Sequence, residues 1–260
     1  TQSKSDIIKQ LKEYNVASVS PVIVDPEITS IVLTSTAKYD ERATTKDSAT
    51  LKANIITLLG TYNVSTLQKF DSMFRHSKVV KLIDDTDNSI LSNTTTLKIR
   101  KSFTPTLNSS LKYSVFFRNA VYNPHTSHNS TAGGVVSSSG FKIQGSTNEQ
   151  LLDDDGNGNI RRYYLSGATR VYTNPTQGTI DYTTGEITIN SLQITEISNI
   201  RGSASTVIEL TVQPASNDIV PVRDQILELD IPNSTISVDK DSFVGGSSDA
   251  GVGYTTTSAY

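Results

Sequence analysis

Apolar residues recur along this 260-residue chain at a mixture of helical and strand spacings within its first hundred positions and at strand spacing alone after them. Ser5 is placed to cap a short helix with Ile7, Ile8, Leu11 and Tyr14 on one face. Pro21 and Pro26 bracket the apolar Val22–Val24 and stop any continuation. Thr29–Tyr39 predicts a strand, with Ile31, Leu33 and Ala37 on one face among Ser30, Thr34 and Thr36. Asp47–Leu59 is the strongest helical segment: Leu51, Ile55, Leu58 and Leu59 form its apolar stripe, and Gly60 follows as a stop. Ser65 is predicted to cap Thr66–Phe70, and Met73–Asp84 carries Phe74, Val79, Val80, Leu82 and Ile83 as a further helix. Asp87-Asn88-Ser89 then turns the chain into Ile90 and a strand over Thr95–Phe103.

From Lys112 onward the helical period disappears. Apolar runs at Tyr113–Phe117, Gly140–Ile143, Ile160–Leu165, Gly178–Tyr182, Glu186–Ile189, Thr206–Val212 and Ile226–Ile231 are separated by Gly, Asn, Asp and Pro. The sharpest hairpin is Tyr182-Thr183-Thr184-Gly185-Glu186, with Ile180 leading in and Ile187 and Ile189 leading out. The pattern predicts an α+β fold: a small sheet covered by helices on one side, followed by an antiparallel β-sandwich or barrel-like domain. The expected units are an N-terminal helix and linker (1–20), an α+β domain (21–110), a β-rich domain (111–242) and a tail (243–260). Gly245–Tyr260 has almost no core-forming residues, so this tail is expected to be mobile or ordered by a partner.

Composition narrows the function. Ser and Thr make up 67 of 260 residues, which suits polar outward strand faces and hydroxyl-bearing turns. The 23 basic and 26 acidic residues are interspersed, giving a net charge of −3 and no footprint for nucleic acid or an anionic membrane. No apolar run approaches a membrane span. Zero cysteines exclude a disulfide framework and Cys-based zinc sites. The opening Thr1-Gln2-Ser3 lacks a methionine and reads as a piece of a longer protein. Five Asn-x-Ser/Thr triplets (Asn63, Asn93, Asn108, Asn129, Asn233) are about what 17 asparagines in so hydroxyl-rich a chain give by chance.

The most chemical-looking motif is Asp153-Asp154-Asp155-Gly156-Asn157-Gly158-Asn159. Asp153, Asp155 and Asn157 stand at calcium-loop positions 1, 3 and 5, with Gly158 at 6 and Ile160 at 8. Position 12 is Tyr164 where a bidentate Glu is required, Arg161 and Arg162 bring positive charge, and a strand follows where a helix should. A solvated hairpin turn with Gly156 and Gly158 at φ > 0 is therefore expected in place of a metal site. His125 and His128 could clamp a metal at i,i+3, but Pro124 and Asn129–Gly134 place them in a loop with no carboxylate nearby. His76, between Arg75 and Lys78, reads as part of a polar helix face. No nucleophile elbow or phosphate loop occurs, and no paired carboxylates announce an active site. The expectation is no catalytic, cofactor-binding or metal-binding residue.

Val24-Asp25-Pro26-Glu27-Ile28-Thr29, Ala37-Lys38-Tyr39-Asp40 and the helix running to Tyr62-Asn63 resemble the baseplate wedge ring proteins of T-even-type contractile-tailed phages, relatives of the baseplate-J-like family. Leu82-Ile83-Asp84 with Asn88-Ser89-Ile90, and Gly178–Ile189, agree with that resemblance. It implies the carboxy-terminal part of a wedge subunit in the virion tail baseplate, assembled in the host cytoplasm. Such subunits pair and close into a ring around the hub, holding the baseplate before the sheath contracts. The implied partners are the chain itself and other wedge and hub proteins, with no nucleic acid, membrane or cofactor and no enzymatic activity. Two other readings stay open: a receptor- or glycan-binding β domain, which calls for an exposed aromatic platform flanked by Asp or Asn, and a wall-degrading hydrolase, which calls for paired carboxylates in a cleft.

Overall fold

In this computed structural model, residues 3–14, 22, 23, 25–131 and 133–241 are described. The Gly245–Tyr260 tail lies outside them. In chain order the elements are α1 (Lys4–Glu13), β1 (Glu27–Tyr39), α2 (Ser48–Tyr62), a π-helical turn (Asn63–Leu67), α3 (His76–Asp84), β2 (Ile90–Phe103) and β3 (Ser110–Phe116). There follow β4 (Val136–Ser138), β5 (Phe141–Ile143), β6 (Leu151–Asp154), β7 (Asn159–Ser166), β8 (Thr169–Asp181), β9 (Glu186–Ile197), β10 (Ile208–Val212), β11 (Gln225–Leu229), a short 3₁₀ turn (Ile231–Asn233) and β12 (Thr235–Lys240). The fold is mostly strand, with curled antiparallel sheets and a few helices, as the period change predicts.

β1 organises the first sheet. Its residues 29, 31, 33, 35, 37 and 39 are buried, the strict alternation of a strand with one covered face. β2 pairs with it antiparallel from Ser30↔Arg100, and β10 and β4 extend the sheet beyond β2. On the other edge β1 pairs in parallel with β11 and then with β12. Where those two strands break, Asp230 N–H donates to Ile31 O (2.8 Å) and Leu33 N–H donates to Ser234 Oγ (2.9 Å). The backbone of β1 thus stays satisfied across the interruption. The helix-covered sheet therefore combines residues 27–103 with strands from residues 136–138 and 208–240.

α2 starts where Asp47 Oδ1 accepts the Thr50 N–H (2.8 Å) and buries Leu51, Ile55, Leu59 and Tyr62. It does not stop at Gly60. Tyr62 and Leu67 are still core residues, so the chain continues through Gly60 and widens into the π-helical turn, replacing the separate helix expected after Ser65. There the buried Asn63 accepts the Leu229 N–H (2.7 Å) and donates to the Leu229 carbonyl (3.3 Å), closing the open edge of β11. α3 begins at His76 rather than Met73, because Phe74 is held in an antiparallel bridge with Ile219. The start of α3 is capped from outside the helix: Asp218 accepts the His76 N–H (2.9 Å) and pairs with Arg75 (2.7 Å). α1 is capped by Ser3 rather than Ser5, in a reciprocal box with Asp6.

The second sheet runs β3-β9-β8-β7-β6, with β5 also on β9. Phe141 and Gln150 exchange backbone hydrogen bonds (2.7 and 3.1 Å), curling the sheet towards closure between β5 and β6. The β8–β9 hairpin pairs Asp181 with Glu186 and places Gly185 at φ 71, as its sequence requires.

Candidate functional site

The most highly organised group of polar side chains gathers around the β6–β7 hairpin. β6 is Leu-Leu-Asp-Asp, and both Asp153 and Asp154 are fully buried. Asp153 lies opposite Arg161 in the ladder and binds it through both oxygens (2.9 and 3.1 Å). The same carboxylate accepts from Arg170 (2.7 Å) and the Tyr172 hydroxyl (2.8 Å). Asp154 accepts from Val136 N–H (2.8 Å), Asn129 Nδ2 (2.9 Å) and the Tyr182 hydroxyl (2.7 Å). Two carboxylates are thus balanced by two guanidiniums, each lying over a tyrosine ring: Arg161 over Tyr172 at 4.4 Å and Arg170 over Tyr163 at 4.7 Å.

Arg161 spends its remaining donors on main-chain carbonyls of Asp154 (2.6 Å), Ser130 (2.9 Å), Thr131 (3.2 Å) and Asn129 (3.3 Å). The 125–134 loop is therefore fastened to the hairpin by one buried guanidinium. Burial raises the pKa of Tyr182 and its bond to Asp154 adds to that; Tyr172 is raised in the same way by burial and Asp153. Both phenols stay protonated as donors. Every carboxylate oxygen of Asp153 and Asp154 already receives a donor, so the arrangement holds structure and offers no free base to a substrate.

The calcium-like motif divides at this hairpin. Asp153 and Asp154 point into the protein, although the sequence suggests a solvated loop. Asp155 forms the turn: its Oδ1 accepts from Asn157 N–H (2.8 Å) and Asn159 N–H (3.0 Å), its Oδ2 from Asn159 Nδ2 (2.7 Å). Partial burial opposes ionisation of Asp155, yet these bonds prevail and lower its pKa. Gly156 and Gly158 adopt φ 75 and 95, and a Cβ on Gly156 would lie 2.6 Å from Asn129 N. Among the described residues no three His, Asp or Glu converge as metal ligands.

His125 and His128 come together in the fastened loop, and His76 stands apart with Nε2 2.8 Å from Thr95 O. The sequence reading missed Arg170, Tyr172, Tyr182 and Asn129. A signal for one pair was present: a hairpin centred on Gly156-Asn157-Gly158 sets Asp153 across from Arg161. Of the tyrosines in the described residues only Tyr14 is exposed; the rest are at least half-buried, so they form no exposed aromatic platform.

Residues 28–102 match the family model for the C-terminal domain III of baseplate structural protein gp6. The matched segment is β1 through β2, with the two helices between them. The chain is also 27% identical over 116 residues to baseplate wedge protein gp6 of Enterobacteria phage T4. That alignment covers 44% of this chain and 18% of the relative's length. The resemblance to phage baseplate wedge proteins read from the sequence is thereby borne out, carried by the match over residues 28–102.

Proposed function

We propose that this chain is a structural subunit of a phage tail baseplate wedge, working through its surfaces rather than through catalysis. The family match across β1–β2 carries this reading. In it, the chain pairs with a second copy and closes into a ring around the hub, assembled in the host cytoplasm and holding the baseplate before sheath contraction. Other wedge and hub proteins complete the contacts. Exposed apolar residues on α1 (Ile7, Leu11) and after α2 (Val64, Phe70) supply surface that association would cover. Multi-angle light scattering of the purified chain should show dimers or larger species growing with concentration. A monomer persisting to high micromolar concentration would sink the self-association reading.

A further inference from the structure

We propose that His125 and His128 chelate an imidazole-preferring transition-metal ion of the Zn²⁺ class. The turn that joins them closes with His128 N–H donating to His125 O (3.1 Å) and holds Ser127 at φ 64. A serine adopts that left-handed backbone only at a cost. Ser127 is kept there by its N–H on Gly156 O (3.1 Å) and its hydroxyl on Asn157 Oδ1 (2.8 Å). The result brings His128 Nδ1 to 3.3 Å from His125 Nε2. Nitrogens bound at about 2.0–2.1 Å to one ion lie roughly 2.9 Å apart at a right angle and roughly 3.4 Å apart at a tetrahedral one. The observed spacing falls within that interval.

A second observation concerns the tautomer. His125 Nδ1 lies 3.1 Å from Thr126 O, and a carbonyl can only accept, so Nδ1 carries the hydrogen and Nε2 presents its lone pair. A ring nitrogen hydrogen-bonded to a carbonyl, with the other nitrogen free, is how metal-binding histidines are oriented. Without metal, His125 Nε2 accepts the His128 Nδ1 hydrogen. With metal, His128 takes its other neutral tautomer: the hydrogen leaves Nδ1 and one is carried at Nε2 by exchange through water, with no net proton released. Tyr122 packs edge-on to the His128 ring at 5.2 Å and limits its rotation. His125 is exposed, so water fills the ion's remaining positions. Two protein ligands imply weaker binding than a four-ligand structural site, and imidazole nitrogens select against Mg²⁺ and Ca²⁺.

This inference is independent of the assembly reading. Titrating the chain with Zn²⁺ near pH 7.5 by calorimetry should reveal a site of one ion per chain that Mg²⁺ does not occupy. His125→Ala and His128→Ala should each weaken it at least about tenfold while leaving the metal-free melting temperature unchanged. In ¹⁵N spectra of the parent chain, His125 Nε2 and His128 Nδ1 should shift on Zn²⁺ addition. Parent affinity in either variant, a His128 Nδ1 that keeps its hydrogen when Zn²⁺ is added, or no Zn²⁺ binding at millimolar concentration would overturn the proposal.

Discussion

The helix-covered sheet and the half-barrel bury their interiors with different chemistry. Beneath α2 and α3 the core is mainly aliphatic and, among the described residues, carries no buried charge pair like Asp153–Arg161: Ile31, Leu33, Leu51, Ile55, Leu59, Val79, Ile83 and Ile99 are all at most 1% exposed. Around β6–β8 the buried set includes Asp153, Asp154, Arg161, Gln150 and Gln177 beside Leu152 and Ile160. Apolar burial stabilises in proportion to area and tolerates small shifts, at about 1.5–3 kcal/mol per large side chain. A buried ion pair gives little net stability but fails badly when one member is lost. The first region is therefore a source of stability, and the second fixes where a loop sits.

The largest effect should come from placing the second region's chemistry in the first. Ile55 is wholly buried on α2, and no cation among the described residues is bonded there. Ile55→Asp should cost on the order of 4–5 kcal/mol and abolish cooperative unfolding followed by circular dichroism. A variant that melts like the parent would mean that this face of α2 is not the buried one.

Removing a charge from the second region should come next. Arg161→Met leaves Asp153 without its bidentate partner and four loop and strand carbonyls without a donor. A loss of about 3–5 kcal/mol in urea unfolding is expected, with new protease cleavage between residues 125 and 134. Arg161→Lys keeps the charge but not the planar fork, so it should recover only a minor part. An Arg161→Met chain with parent stability and an uncleaved loop would show that the network does not position the loop.

The same contrast explains what the sequence could reveal. Alternation in Thr29–Tyr39 and the Leu51/Ile55/Leu59 stripe name the first region's elements because side-chain period and burial coincide there. Helix ends were less legible. Gly60 is a stop signal locally, but the packing of Tyr62 and Leu67 overrides it. β6 was invisible because Leu-Leu-Asp-Asp carries charge into the interior, a choice that makes sense only with Arg161, Arg170 and Tyr182 in place. The parallel pairing of β11 and β12 on β1 brings residues two hundred positions away to one sheet, which no local pattern encodes.

The smallest expected effect lies at the rim of the helix-covered region. Asp87 starts the turn into β2, where Oδ1 accepts the Ser89 N–H (3.0 Å) and hydroxyl (2.7 Å) and Oδ2 pairs with Lys46 at 2.5 Å. Lys46, then the Ser89 bonds, lower the Asp87 pKa to about 2. The unfolded carboxyl titrates near 3.9, so the folded state binds the proton less readily. The carboxylate's contribution is therefore present above pH ~4 and lost as pH falls through about 2. Because the Lys46 side chain is 44% exposed, that contribution should not exceed about 1 kcal/mol and should shrink in high salt. Asp87→Asn keeps an acceptor for Ser89 while removing the charge. Urea midpoints of parent and variant should differ slightly at neutral pH and converge as pH approaches 2. A gap that persists at that pH would place the effect in the turn's hydrogen bonds, and no gap at neutral pH would leave rim charge without a share in this region's stability.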